Sequence, residues 1–402
     1  MQNRKICIRL GRSSISVFLA EILIFLLLFS ELIFYLGIKE TSFISGIHKT
    51  YLYLVILLCG ILSLTKCRKH FDKSIRVFLY FSVITCISTT LGITPDIALW
   101  RQCIHLLVFA SLIIIFYVGT EIRGAEINIR FLYCMLIIFI GMLFFAFGNL
   151  NSSIANSVYY ILMFVPLISF IDKNLIRKIL YIIISIIVLL SNKRTALLAI
   201  IAYFFIGEFV SNRNMNGRKK VYKVIGYILL FVVLFFIFPY FINKFNITVF
   251  KELSEAGTDG GSNRLYIYSQ LWQAQVHGNA KHWIIGNGYN SVLLSHICTD
   301  GVGGGWVSAH NDFLEVLYDY GIVGFILYIA FFVELIKKSI QMILDEYKYA
   351  YSFMGSIVFI IIISMTSHLI IYLNYYALVI IFWSICLAHY QFWRQHRDFI
   401  EE

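Results

Sequence analysis

The sequence predicts an all-α integral membrane protein, a bundle of about twelve spanning helices with one large loop outside the membrane. The first observation is composition: 402 residues are 60% hydrophobic and 14% charged, against about 45–50% and about 25% in soluble domains. The second is pattern. Apolar runs continue over roughly 15 to 22 residues without alternating, which is the signature of helices and not of a barrel. The third is charge placement, because Lys and Arg recur in every second connection. With 3 Pro and 25 Gly beside 36 Phe and 26 Tyr, collagen-like, disordered and small disulfide-stapled classes are excluded.

In chain order the expected spans are 15–37, 47–65, 75–94, 98–118, 130–149, 156–171, 175–191, 195–210, 223–242, 321–336, 352–372 and 373–390. The first is too long for a signal-peptide core and lacks a small-x-small cleavage site, so it reads as a retained span. The basic connections are the N-terminal tail with Arg4, Lys5, Arg9 and Arg12, then Lys66 to Arg76, Arg123 and Arg130, Lys173 to Lys178, Arg213 to Lys223, Lys337 to Lys348, and Arg394 with Arg397. By the positive-inside rule both termini are cytoplasmic. The same alternation accounts for the net charge of +11, so no nucleic-acid partner is expected.

Three parts follow: residues 1–242 with nine spans, an external loop 243–320 with short helices, and residues 321–402 with three spans and a cytoplasmic tail. The loop is apolar enough to fold, since Leu265, Ile267, Leu271, Trp272, Val276, Trp283, Ile284 and Ile285 supply surface that needs burial. Ser262 and Asn263 are good N-caps for a helix to about His277, which lines up Arg264, Tyr268 and Leu271. Arg264 then sits in a first turn whose free N–H groups favour anions. Gly286-Asn287-Gly288 signals a turn, and the Gly-rich stretch 301–305 suits a mobile segment. Neither is a nucleotide motif, because no strand precedes and no Lys-Ser/Thr follows.

The loop ends in Ser308-Ala309-His310-Asn311-Asp312-Phe313-Leu314-Glu315. Asp312, Glu315 and Asp319 share a helix face, and His310 and Asn311 lie at the start of a helix that enters the membrane. Elsewhere on the outer side, Lys193 and Arg194 occupy a tight hairpin, and Arg101 and His105 share a face of the fourth span. Each has a plain structural reading: Arg194 as an interfacial anchor, Arg264 on a solvated helix face, His310 as a helix-start residue, Arg101 in packing. His277, His282 and His296 lack a metalloprotease pattern, and of the 8 Cys only Cys298 lies in the loop, so no metal or cofactor is expected.

Taken together, the order hairpin Arg, loop-helix Arg, then His-Asn before membrane re-entry is more specific than its members. Here the chain resembles the O-antigen ligase and polymerase superfamily of bacterial surface-polysaccharide assembly. The stretches that carry the likeness are Ser191 to Ala199, Asn263-Arg264-Leu265-Tyr266 through Gly286-Asn287-Gly288-Tyr289-Asn290, and His310 to Glu315 followed by Tyr320-Gly321-Ile322-Val323-Gly324. Lys193 departs from the commoner pattern, where a small residue precedes the Arg.

The resemblance implies a GT-C-like bundle in the inner membrane and a metal-independent glycosyltransferase. It would work on the periplasmic face with polyprenyl-pyrophosphate-linked oligosaccharides as donor and acceptor. It implies that Arg194 and Arg264 grip the pyrophosphate and that His310 stands at the reacting centre. Arg101, Lys193, Tyr268, Asn311, Asp312 and Glu315 join as substrate-binding candidates. Arg supplies permanent charge and a planar donor fork for a pyrophosphate leaving group, and an imidazole is poised to accept a hydroxyl proton. His310 either acts as that base or orients the acceptor, with Asp312 and Glu315 as alternative bases.

The leading expectation is polymerisation of O-antigen, capsule or a related polysaccharide, with a chain-length regulator as a candidate partner. The alternative is a ligase that moves the finished glycan to lipid A core or to protein. A transporter or flippase is less favoured, because it predicts inverted repeats and midplane charges.

Overall fold

The computed structural model describes residues 18–19, 21–22, 26, 42–65, 71–92, 97–123, 135–144, 157–190, 193–210, 221–222, 225–226, 260–299, 305–370 and 373–400. They form helices α1 (Ser42–Leu64), α2 (Lys73–Leu91), α3 (Ile97–Arg123), α4 (Ser157–Met163), α5 (Val165–Ile168), α6 (Asn174–Leu190), α7 (Arg194–Val210), α8 (Gly260–Val276), α9 (Ala280–Ile285) and α10 (Ser291–Leu294). A two-stranded antiparallel ribbon, β1 (Cys298–Thr299) with β2 (Trp306–Val307), pairs Cys298 with Val307 and Thr299 with Trp306. Helices α11 (Asp312–Leu344), α12 (Ala350–Ser364) and α13 (Leu373–Ile400) follow.

Among the described residues, four helices are long and apolar enough to cross a membrane: Lys73–Leu91, Ile104–Glu121, Asp312–Leu344 and Tyr376–His396. This makes the chain a multi-pass membrane protein and corrects the expectation of about twelve spans in a GT-C-like bundle. The physical reason is that an apolar run need not be one helix of spanning length. The run 156–171 divides at Phe164 into α4 and α5, with Pro166 in the first turn of α5. Thr195–Gly207 and Ala350–Ser364 are apolar but shorter than the roughly 20 residues a bilayer core requires. The expected spans 15–37 and 223–242 lie almost wholly outside the described residues.

The chain divides into two compact units. One comprises Met1–Asp72, Leu107–Arg177 and Asn374–Glu402. Its interior is aromatic: Phe109 meets Tyr376 edge-on at 5.4 Å and Phe170 lies 5.1 Å from Phe382. The Tyr117 hydroxyl satisfies itself there by donating to Gln391 Oε1 at 2.6 Å, as a buried phenol must.

The second unit, Lys73–Leu106 with Lys178–Leu373, contains α2 and α7 to α12. Helix α11 packs along α2 through Phe78 against Phe331 at 4.9 Å and Phe81 against Tyr320 at 5.5 Å. Gly321 interrupts α11 with φ 64° and ψ −169°. A Cβ there would stand 2.5 Å from the Ile284 carbonyl carbon, so this close approach of α9 to the break requires glycine. Within the loop, Ile267, Leu271, Val292, Cys298, Ala309 and Tyr318 form a small core. Helix α8 buries only that face. Leu265, Trp272 and Val276, expected to need burial, are exposed on its other side, as is Ile284.

Candidate functional site

The site is built where α11 begins. Asn311 caps the helix, its Oδ1 accepting from the N–H groups of Phe313 at 3.0 Å and Leu314 at 3.1 Å, which is the work Asn performs at an N-cap. The preceding residue, His310, has φ 52°, a left-handed conformation uncommon outside glycine, in which His is found more often than most residues. Partners from two other helices hold it. The Tyr268 hydroxyl, on α8, lies 3.3 Å from both the His310 and the Met365 carbonyl oxygens. Asn311 Nδ2 donates to the Met365 carbonyl at 3.1 Å.

Met365 opens the turn that follows α12, and Asp312 fixes that turn. Its Oδ1 accepts from the N–H groups of Leu369 at 2.8 Å and Ile370 at 3.2 Å, and its Oδ2 from the Ser364 hydroxyl at 2.6 Å. The turn thereby carries His368 to a ring-centroid distance of 4.7 Å from His310. It also reaches the start of α7, where Thr366 Oγ1 lies 2.9 Å from Thr195 Oγ1.

Cations converge on this arrangement. Burial lowers the proton affinity of His310, and the charges of Arg264 and then Lys193 lower it further. Lys193 is itself pulled down, by burial first and Arg264 second. His368 is pushed down to about 3 by burial, then by His310 and Arg264. At neutral pH both imidazoles are therefore uncharged beside an Arg and a Lys. Burial raises the Tyr268 phenol, while its bond to Asn311 and the Arg264 charge act in the opposite direction. Such a cluster attracts an anion, and His310 retains the basic nitrogen that a proton acceptor needs.

Lys193, Arg264, Tyr268, His310 and Asn311 are thus brought together. Arg194 is the first residue of α7 and Arg101 lies on α3; their side chains lie outside the described residues. Asp312, Glu315 and Asp319 are all buried, and two of them hold backbone. Asp319 accepts from the N–H groups of Asn290 at 2.7 Å and Ser291 at 3.0 Å and from the Ser291 hydroxyl at 2.6 Å, which locks the turn at Gly286 to Asn290 against α11. His368 was missed in the sequence. It sits in what reads as the apolar run 352–372, and its signal was a lone imidazole there. Among the described residues no group of three or more His, Cys, Asp or Glu is placed to hold a metal ion.

Comparison with curated proteins finds no match. Residues 179–329 match a family model described as O-antigen ligase. That stretch contains Lys193, Arg264, Tyr268, His310 and Asn311 and stops short of His368. Over that stretch the chain is similar to the O-antigen ligase family, which supports the superfamily expected from the sequence and a ligase- or polymerase-type enzyme.

Proposed function

We propose that the chain transfers a glycan from a polyprenyl-pyrophosphate carrier to a hydroxyl acceptor, as an O-antigen ligase does. The observation that carries this reading is the joining of Arg264 and Lys193 to a neutral His310 at the head of α11. As the bond from the sugar C1 to the pyrophosphate oxygen breaks, negative charge develops on the leaving group. Arg264 and Lys193, with Arg194 from the start of α7, offset it. His310 takes the proton of the acceptor hydroxyl as the new C1–O bond forms. Asn311 and Tyr268 keep the His310 backbone in place, and Asp312 serves the turn beside it. The substrate-binding roles of Arg101 and Glu315 rest on the resemblance alone.

The family description favours ligation, with lipid A core or a protein as acceptor. A second reading, polymerisation with another lipid-linked repeat as acceptor, draws on the acidic stretch His310 to Glu315, which resembles polymerases more than ligases. Both put the site on the periplasmic face, as the resemblance implies.

The test is reconstitution of the purified chain with a lipid-linked repeat unit, with and without lipid A core, followed by sizing of products. Ligation predicts transfer only when core is present, whereas a ladder of repeats without core means polymerisation. Arg264→Lys keeps the charge and loses the donor fork, so transfer falls by about 10²-fold at unchanged protein level. An unchanged rate would refute the role given to Arg264.

A further inference from the structure

The far end of α8 from Arg264 carries a second polar feature. A cleft of about 300 Å³ opens between the end of α2 and α9. Its walls include Leu91 on α2, His277 and Asn279 after α8, Lys281 and His282 on α9, and Asn287 in the following turn. His282 and Asn287 line it and belong to a polar chain that runs back beneath the surface to Gln275. Asn287 Nδ2 donates to His282 Nδ1 at 2.8 Å, and His282 Nε2 donates to Gln275 Oε1 at 2.7 Å. Burial lowers the proton affinity of His282, so the ring is neutral and its tautomer is set by the two amides. Gln275 Nε2 is buried with no acceptor among the described residues.

The backbone around the cleft is specialised. At Gly278 a Cβ would stand 2.7 Å from His282 Cγ, and Gly286 has φ 83°, so glycine is needed for the chain to pass over the imidazole and to turn beneath it. Asn279 caps α9, accepting from the His282 N–H at 2.9 Å. Lys281 is engaged at the rim by the Leu91 carbonyl.

The lining discriminates between ligand classes. The amides of Asn279 and Asn287 and the exposed ring of His277 place donors and acceptors side by side, which suits hydroxyl groups that both donate and accept. An apolar ligand would strip water from these polar groups without replacing its hydrogen bonds. An anion is better served by the Arg264 end. Along α8 the two places are about 20 Å apart at 1.5 Å per residue, a distance that several linked sugars bridge.

We infer that this cleft is a saccharide subsite, gripping a neutral sugar of the glycan several units from the reacting bond. The inference rests on the glycosyl-transfer reading above. It also gives a role to the Gly286-Asn287-Gly288 turn and the His277–His282 pair, which the donor site leaves unused.

The experiment compares two donors on the full chain: one polyprenyl pyrophosphate bearing a single sugar and one bearing the complete oligosaccharide. His277 is exposed on the cleft wall, so His277→Trp fills the cleft without disturbing the core, and His277→Ala removes one partner. The expected result is a KM for the oligosaccharide donor raised about tenfold, the worth of a lost hydrogen bond or two. The kcat and all parameters for the single-sugar donor stay unchanged. Free oligosaccharide cut from its carrier should inhibit the wild type more strongly than His277→Trp. A KM unchanged for both donors, or raised equally for both, overturns the subsite while leaving glycosyl transfer intact. If the wild type transfers neither donor, the functional reading itself falls, and the subsite with it.

Discussion

Removing the Asp312 carboxylate tests whether the turn after α12 is an organised part of the site. Asp312→Ala deprives the N–H groups of Leu369 and Ile370 of their shared acceptor, Oδ1, and the Ser364 hydroxyl of Oδ2. All of this is buried. Leaving a buried donor unpaired costs about 1–3 kcal/mol, so the two backbone groups together account for about 2–6 kcal/mol. That energy favours opening of residues 365–370, the segment that carries His368 to His310. The assay is hydrogen exchange followed by mass spectrometry on the purified protein in detergent. In Asp312→Ala the amides of this segment should exchange roughly 30-fold to 10⁴-fold faster. Asp312→Asn is the control. It keeps Oδ1 for both N–H groups and turns its new amide towards the Ser364 oxygen, so it should stay close to wild type in exchange and in transfer. Equal protection in Asp312→Ala and wild type would refute the claim that this carboxylate holds the turn.

Two further outcomes follow from the same geometry. His310 titrates below its ordinary value of 6.5 because burial, Arg264 and Lys193 all disfavour its protonated form. If transfer requires the neutral imidazole, rate is lost as pH falls through that lowered value, so the acid limb of the pH–rate profile lies below pH 6.5. Lys193→Met removes one of the two cations and should move that limb upward; a profile that stays in place refutes the coupling. Gly321→Ala puts a methyl group against the Ile284 backbone at a φ of 64°. With ψ at −169° this is a conformation essentially reserved to glycine, and it costs another residue about 1–3 kcal/mol, so the yield of folded protein on detergent size-exclusion should drop. A wild-type yield would show that the break in α11 does not need glycine.

The head of α11 was legible because Asn is a strong cap and an acidic first turn follows it. Asn263 marked the start of α8 less regularly, taking φ 60° inside a helix that begins at Gly260. The convergence of Lys193, Arg264 and His310 could be anticipated only from the pattern of their segments, since no local rule brings residues so far apart into contact. Roles within one residue type were not legible. Asp312, Glu315 and Asp319 share a face in sequence and look alike there, yet two of them are consumed by backbone N–H groups on different turns. The Gln275, His282 and Asn287 chain has no motif, because it joins a helix end, a capped helix and a glycine turn. Hydropathy overcounted spans for a related reason, since it registers apolar content and not whether one helix runs through it. Pro166 was the visible warning.

The break at Gly321 has a consequence for how the enzyme meets its substrate. Beyond it, Ile322 to Ile336, ahead of the basic Lys337 and Lys338, rises about 22 Å at 1.5 Å per residue, most of the roughly 30 Å of a bilayer's hydrocarbon core. The nine residues of α11 before the break, Asp312 to Tyr320, and His310 and Asn311 ahead of them would then lie at headgroup depth. On the proposed glycosyl-transfer reading the donor is anchored in lipid and confined to that same plane. Encounter becomes a search in two dimensions, so turnover should follow the surface density of the donor in the bilayer and not its bulk concentration.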